Sequence, residues 1–127
     1  MLDGTDPEIQ IPPRVLLVED NAIVAMSAEE QLLEIGVEEV VVARSVAEAD
    51  AHCDRHNFDF ALLDFDLGNE TSIGIAARLK RAEIPFAFAS GFGDALDLPE
   101  DLAGSLVLRK PYLLADLERA VVVGRAA

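Results

Sequence analysis

The chain has 127 residues, 51% of them hydrophobic, with 24 acidic against 10 basic side chains. That is the size of one ordinary globular domain and leaves no room for a second. A single core at this length buries roughly two-thirds of the surface that the unfolded chain exposes, so neither a disulfide nor a structural metal is needed. Cys53, the only cysteine, cannot form an internal disulfide, which suits a reducing compartment. No basic stretch followed by an apolar run opens the sequence, and no apolar run approaches a membrane span. These features predict a cytoplasmic chain with no membrane contact. A formal charge of −14 repels a phosphate backbone, and the Lys and Arg residues are scattered, which argues against nucleic-acid binding.

Residues 1–13 mix Asp3, Gly4, Pro7, Pro12 and Pro13 with few apolar groups and read as a flexible lead-in, with the fold beginning at Arg14. Val15-Leu16-Leu17-Val18 is a short aliphatic run of the kind buried on both faces of a parallel sheet. Similar runs follow at 40–42, 58–63, 86–89 and 106–108. Helical periods lie between them. Asn21 is placed to cap a helix carrying Ala25, Ala28, Leu32 and Ile35, and Gly36 to end it. Ser45 is placed to cap a second helix, with Ala47, Ala51 and Cys53 as its apolar positions. His52 and His56 in that segment, beside Asp54 and Arg55, read as solvated side chains. Ser72 is placed to cap a third helix, with Ile75, Ala76 and Leu79 inward. The last runs from Tyr112, with Leu114, Leu117 and Val121 inward. The fourth crossover, 91–105, holds three glycines and Pro99 and predicts at most a short helix.

Strands alternating with helices imply right-handed crossovers and a doubly wound parallel α/β sheet of five strands. In such sheets ligands bind at the carboxyl ends of the strands. The first strand ends in Glu19-Asp20, the third in Asp64, the fourth in Ser90 and the fifth in Arg109-Lys110-Pro111. In the flavodoxin-like order 2-1-3-4-5, the first and third strands are neighbours about 4.8 Å apart, and three carboxylates face one crevice. Like charges at that range raise each other's pKa, and a divalent cation relieves the repulsion. Oxygen ligands alone select a hard ion, Mg²⁺ before Ca²⁺. Lys110 and Ser90 add a point charge and a hydroxyl, a set suited to a phosphoryl group passing to a carboxylate.

Val-Glu-Asp-Asn at 18–21, Leu-Leu-Asp-Phe-Asp at 62–66, Ala-Ser-Gly at 89–91 and Lys-Pro at 110–111 together resemble the receiver domain of bacterial two-component response regulators. The likeness covers about residues 14–125, and four motifs in this order and spacing are specific where one alone is weak. The stretch Pro85 to Gly93 is also similar to the Phe-Ala-Thr-Gly-Tyr-Gly signature of a subgroup of stand-alone receivers. The resemblance implies that Asp64 accepts a phosphoryl group from a phosphohistidine on a sensor histidine kinase or phosphotransfer protein. It further implies that Asp20 ligates Mg²⁺ directly, Glu19 through water and Asp66 through its backbone carbonyl. Ser90 would hydrogen-bond the phosphoryl group, and Lys110 would ion-pair with it, beside a cis bond before Pro111. Such a protein catalyses only its own phosphorylation and dephosphorylation, works as a monomer or weak dimer, and acts on a downstream protein partner that the sequence does not name.

The sequence departs from that family in two places. Val107 stands where receivers usually carry a Tyr or Phe that swings inward, and the fourth helix reads as truncated. An order–disorder change in residues 91–104, with Phe92 repacking, is the expected replacement. Two other readings of the resemblance are an adaptor that keeps the fold without phosphorylation, and a receiver piece of a longer hybrid kinase or regulator. Asp64-Phe65-Asp66 fails as a dehalogenase-type phosphatase motif because it follows the third strand, not the first. It fails as a calcium loop because Gly68 falls at position five. No glycine-rich turn follows the first strand to hold a dinucleotide.

Overall fold

The computed structural model describes residues 11–91 and 98–126. The chain order is β1 Arg14–Val18, α1 Ala22–Ile35, β2 Glu39–Ala43, α2 Val46–Arg55, β3 Phe60–Asp64, α3 Ile73–Arg81, β4 Phe86–Ser90, a 3₁₀ turn at Glu100–Leu102, β5 Leu106–Arg109 and α4 Leu114–Ala126. The strands form one parallel sheet in the order β2-β1-β3-β4-β5, the flavodoxin-like order expected. Alternation along the strands divides the core. Val15, Leu17, Phe60, Leu62 and Ala87 face α1 and α4, while Leu16, Val18, Ala61, Leu63 and Phe88 face α2 and α3. β1 and β3 are buried along nearly their whole length, which explains their unbroken apolar runs.

The edge strands differ from that expectation. β5 is mostly exposed, Val107 included, because no strand covers its outer side and only a 3₁₀ turn stands in its crossover among the described residues. Phe58 precedes β3 and is buried as its lead-in, not as a ladder residue. Contacts of the fold begin slightly before Arg14. Ile11 packs on the core beside Gly36, and the Pro13 carbonyl accepts from the N–H groups of Glu38 and Glu39. Residues 1–10 of the expected lead-in lie outside the described residues.

Asn21 caps α1 as expected, its Oδ1 accepting from the N–H groups of Ile23 and Val24, each at 3.0 Å. Gly36, at φ +122°, ends that helix with a backbone angle that favours glycine. Ser45 Oγ accepts from Glu48 N–H to start α2. The inward face of α2 is not the expected one: Ala49 is buried and Cys53 packs beside it, while Ala47 and Ala51 point to solvent. Ser72 precedes α3 but makes no side-chain cap, since its backbone angles are near-helical and its hydroxyl is buried instead. Tyr112 stands before α4, whose first turn is set by the Leu113 N–H donating to Asp116 Oδ2.

Candidate phosphoryl-acceptor site

The sheet ladders carry the polar strand ends to one place. Asp64, last in β3, lies in register with Ala89, and Ser90, last in β4, with Arg109. Beyond the ladders, Phe65 N–H donates to the Ala89 carbonyl, and Lys110 N–H to the Ser90 carbonyl at 2.8 Å. Lys110 is thereby held beside the end of β4, ahead of a cis peptide bond to Pro111.

Glu19, Asp20 and Asp64 each offer a carboxylate oxygen within 4.8 Å of the other two. Lys110 Nζ bridges two of them, 3.0 Å from Glu19 Oε1 and 3.0 Å from Asp64 Oδ1. Glu19 is buried and tied further, its Oε2 accepting from Asn21 N–H and its own N–H donating to the Ala43 carbonyl. Asp20 stands half-buried, and Arg44 Nη2 donates to its carbonyl.

Burial pushes the Asp64 carboxyl up to about 6, with the Glu19 charge adding to the rise and the Lys110 ammonium opposing it. Burial pulls the Lys110 ammonium down, but its bonds to Asp64 and Glu19 outweigh that and leave it raised. Two anions thus share one cation in a partly dry pocket, and one net negative charge is left without a counter-ion inside the triad.

The donor set fits a hard divalent cation. All three groups offer oxygen. Gly68 lies beside Asp20 Oδ2 and takes φ +92°, a backbone angle that favours glycine. The carboxylate of Asp66 does not join the cluster, since Asp66 is exposed and its Oδ1 accepts from Gly68 N–H. Ser90 is buried at the mouth of the sheet.

Three residues at this end escape the sequence reading. Gly68 and Arg44 carry no motif of their own, though Gly68 follows Asp66 by two residues in a turn. Tyr112 is read from sequence only as the start of the last helix, although an aromatic directly after Lys110-Pro111 marks a strand-end position. Its phenol is pushed up chiefly by burial, with the charges of Lys110, Glu19 and Asp64 also acting on it. It lines an open groove of about 560 Å³ with Ile23, Val24, Gly91, Lys110 and Pro111. Of the expected switch segment, 92–97, Phe92 among them, lie outside the described residues. Leu102, near its far end, is buried in the core.

No protein-family model matches the chain. Among solved structures, the chain is similar to a CheY-like response regulator receiver domain from Methylobacillus flagellatus, with TM-score 0.72, 23% identity, and 84% of this chain and 92% of that one covered. It is also similar to SdrG from Sphingomonas melonis Fr1, with TM-score 0.70 and 30% identity over 87% of this chain and 95% of that one. The transcriptional regulatory protein PdtaR of Mycobacterium tuberculosis is 29% identical over 120 residues, or 92% of this chain. The chain spans 58% of the length of that curated relative. Sheet order and neighbours together define a CheY-like α/β fold with an acidic pocket at the carboxyl ends of its strands. The chain has the receiver-domain fold of the response regulators it resembles. Among the described residues no helix is long and apolar enough to cross a membrane.

Proposed function

We propose that this receiver accepts a phosphoryl group on Asp64 from a phosphohistidine of a sensor histidine kinase or phosphotransfer protein, and that the modified form changes partner binding in the cytoplasm. The observation that carries this reading is the placement of Asp64. Its carboxylate is buried at the end of β3, bonded to Lys110 at 3.0 Å, and within 4.8 Å of two further carboxylates.

In the proposed transfer an Asp64 oxygen attacks phosphorus, the bond to the histidine nitrogen breaks, and a mixed anhydride forms. Water later attacks the same phosphorus, returning inorganic phosphate and the free carboxylate. Lys110 is positioned to exchange its bond to Asp64 for one to a phosphoryl oxygen, and Ser90 to donate its hydroxyl to another. Asp20 and Asp64 would hold Mg²⁺ directly, Glu19 through water and Asp66 through its backbone carbonyl. The ion supplies positive charge against the phosphoryl oxygens and the clustered carboxylates. The donor reaches Asp64 past the groove, where Ile23 is exposed.

The test uses a small phosphoramidate donor, which needs no cognate kinase. With Mg²⁺, intact mass should rise by one phosphoryl group. In excess EDTA, or with Asp64→Asn, it should not. Equal labelling of Asp64→Asn and wild type would refute the assignment.

A further inference from the structure

A second group of metal-ligating side chains lies at the other end of the sheet. α2 starts at the carboxyl end of β2 and finishes where the chain enters β3, so its last turn is remote from the carboxylates. His52 is in that turn and His56 is its C-cap. The His56 N–H donates to the His52 carbonyl at 2.9 Å, which keeps the pair at the i, i+4 spacing of a helical turn. Contrary to the solvated reading, both are half-buried. Their ring centroids lie 6.3 Å apart, with planes 28° from parallel. Phe58 meets the His56 ring edge-on at 6.1 Å and restricts it.

The geometry points to a transition-metal clamp, in which His52 and His56 hold one divalent ion of the zinc class through one ring nitrogen each, with water completing the coordination. Two imidazoles four residues apart on one helical face are the arrangement by which a helix offers two nitrogen donors to one ion. Imidazole selects Zn²⁺, Cu²⁺ or Ni²⁺ over Mg²⁺, so this site and the carboxylate cluster prefer different ions. Zinc–nitrogen bonds of about 2.0–2.1 Å require the centroids roughly 1 Å closer than they stand, with one nitrogen of each ring turned to a common point, so binding reorients the His52 ring toward that of His56. The negative end of the helix dipole favours a cation at this turn. The guanidinium of Arg78, at the neighbouring face of α2, is already held by Asp50 at 3.2 Å and Asp54 at 2.7 Å. Phe58 packing lowers the ordering cost of His56 on binding.

Calorimetric titration of the untagged full chain with Zn²⁺, under saturating Mg²⁺, tests the clamp. One Zn²⁺ should bind per chain. His52→Ala and His56→Ala should each weaken it by at least about tenfold, while Asp64→Asn and Cys53→Ser leave it unchanged. With Cu²⁺, electron paramagnetic resonance should show two nitrogen couplings in wild type and fewer in either histidine variant. His52→Gln and His56→Gln serve should an alanine variant fail to fold. Wild-type affinity in the histidine variants, loss of binding in Asp64→Asn or Cys53→Ser, or no Zn²⁺ binding by wild type would overturn the inference.

Discussion

Asp64 is held as an anion in a pocket that disfavours it, and its titration should show this in stability. Its folded-state carboxyl is raised from the ordinary 3.8 to about 6, with burial as the largest cause. Between about pH 4 and 6 the folded chain keeps a proton that the unfolded chain has already released, so this group lowers stability as pH rises through that window. Above the window the deficit is complete. Asp64→Asn keeps the shape without the charge. Its gain in Tm over wild type, measured without metal, should therefore be small near pH 4 and largest above about pH 7. A gain independent of pH would contradict the buried-charge account. Ser72 offers a second test at this scale. It is fully buried, and its hydroxyl has no hydrogen-bond partner among the described residues. Removing that oxygen relieves an unmet desolvation cost, so Ser72→Ala should be neutral or stabilising by up to about 1 kcal/mol in urea denaturation.

Elements whose signals are local were legible, and those decided by their surroundings were not. Asn21 and Gly36 bound α1 through hydrogen bonds to residues within one turn, so composition alone locates both ends. Asn21→Ala should accordingly cost about 1 kcal/mol of stability, read from the urea midpoint. Ser72 stands before α3 as Ser45 stands before α2, yet its near-helical backbone and buried hydroxyl leave it without a side-chain cap. The face of α2 was misjudged because its alanines recur at several spacings, and only packing on β1 and β2 selects Ala49 over Ala47 and Ala51. β5 reads as a buried strand because Leu106-Val107-Leu108 is as apolar as β1. Its exposure follows from its edge place in the sheet, which no local pattern encodes. The site residues Glu19, Asp20, Asp64 and Lys110 were legible because each ends a strand or follows it directly, and the topology brings strand ends together. Gly68 and Arg44 act through backbone proximity to Asp20, which has no sequence signature.

At the scale of the molecule, the parallel sheet gathers three acids of a strongly acidic chain at one end, with Lys110 as the cation that bridges two of them. A divalent ion bound there favours the folded state by mass action. Millimolar Mg²⁺ should raise the Tm of wild type by a few degrees and change that of Asp20→Asn little, as followed by circular dichroism. The same arrangement favours one acid as the proposed nucleophile. Asp20 is half-buried at the rim and Asp66 is turned into its own loop, whereas Asp64 is bonded to Lys110 beside Ser90. The measurement that addresses this most directly is site mapping of the phosphorylated chain. Borohydride cleaves an aspartyl phosphate and reduces the carbonyl, leaving homoserine where the phosphoryl group stood. After phosphoramidate, Mg²⁺, reduction and proteolysis, mass spectrometry should find homoserine at position 64 and at no other. Homoserine at position 20 or 66, with Asp64 unaltered, would contradict the account.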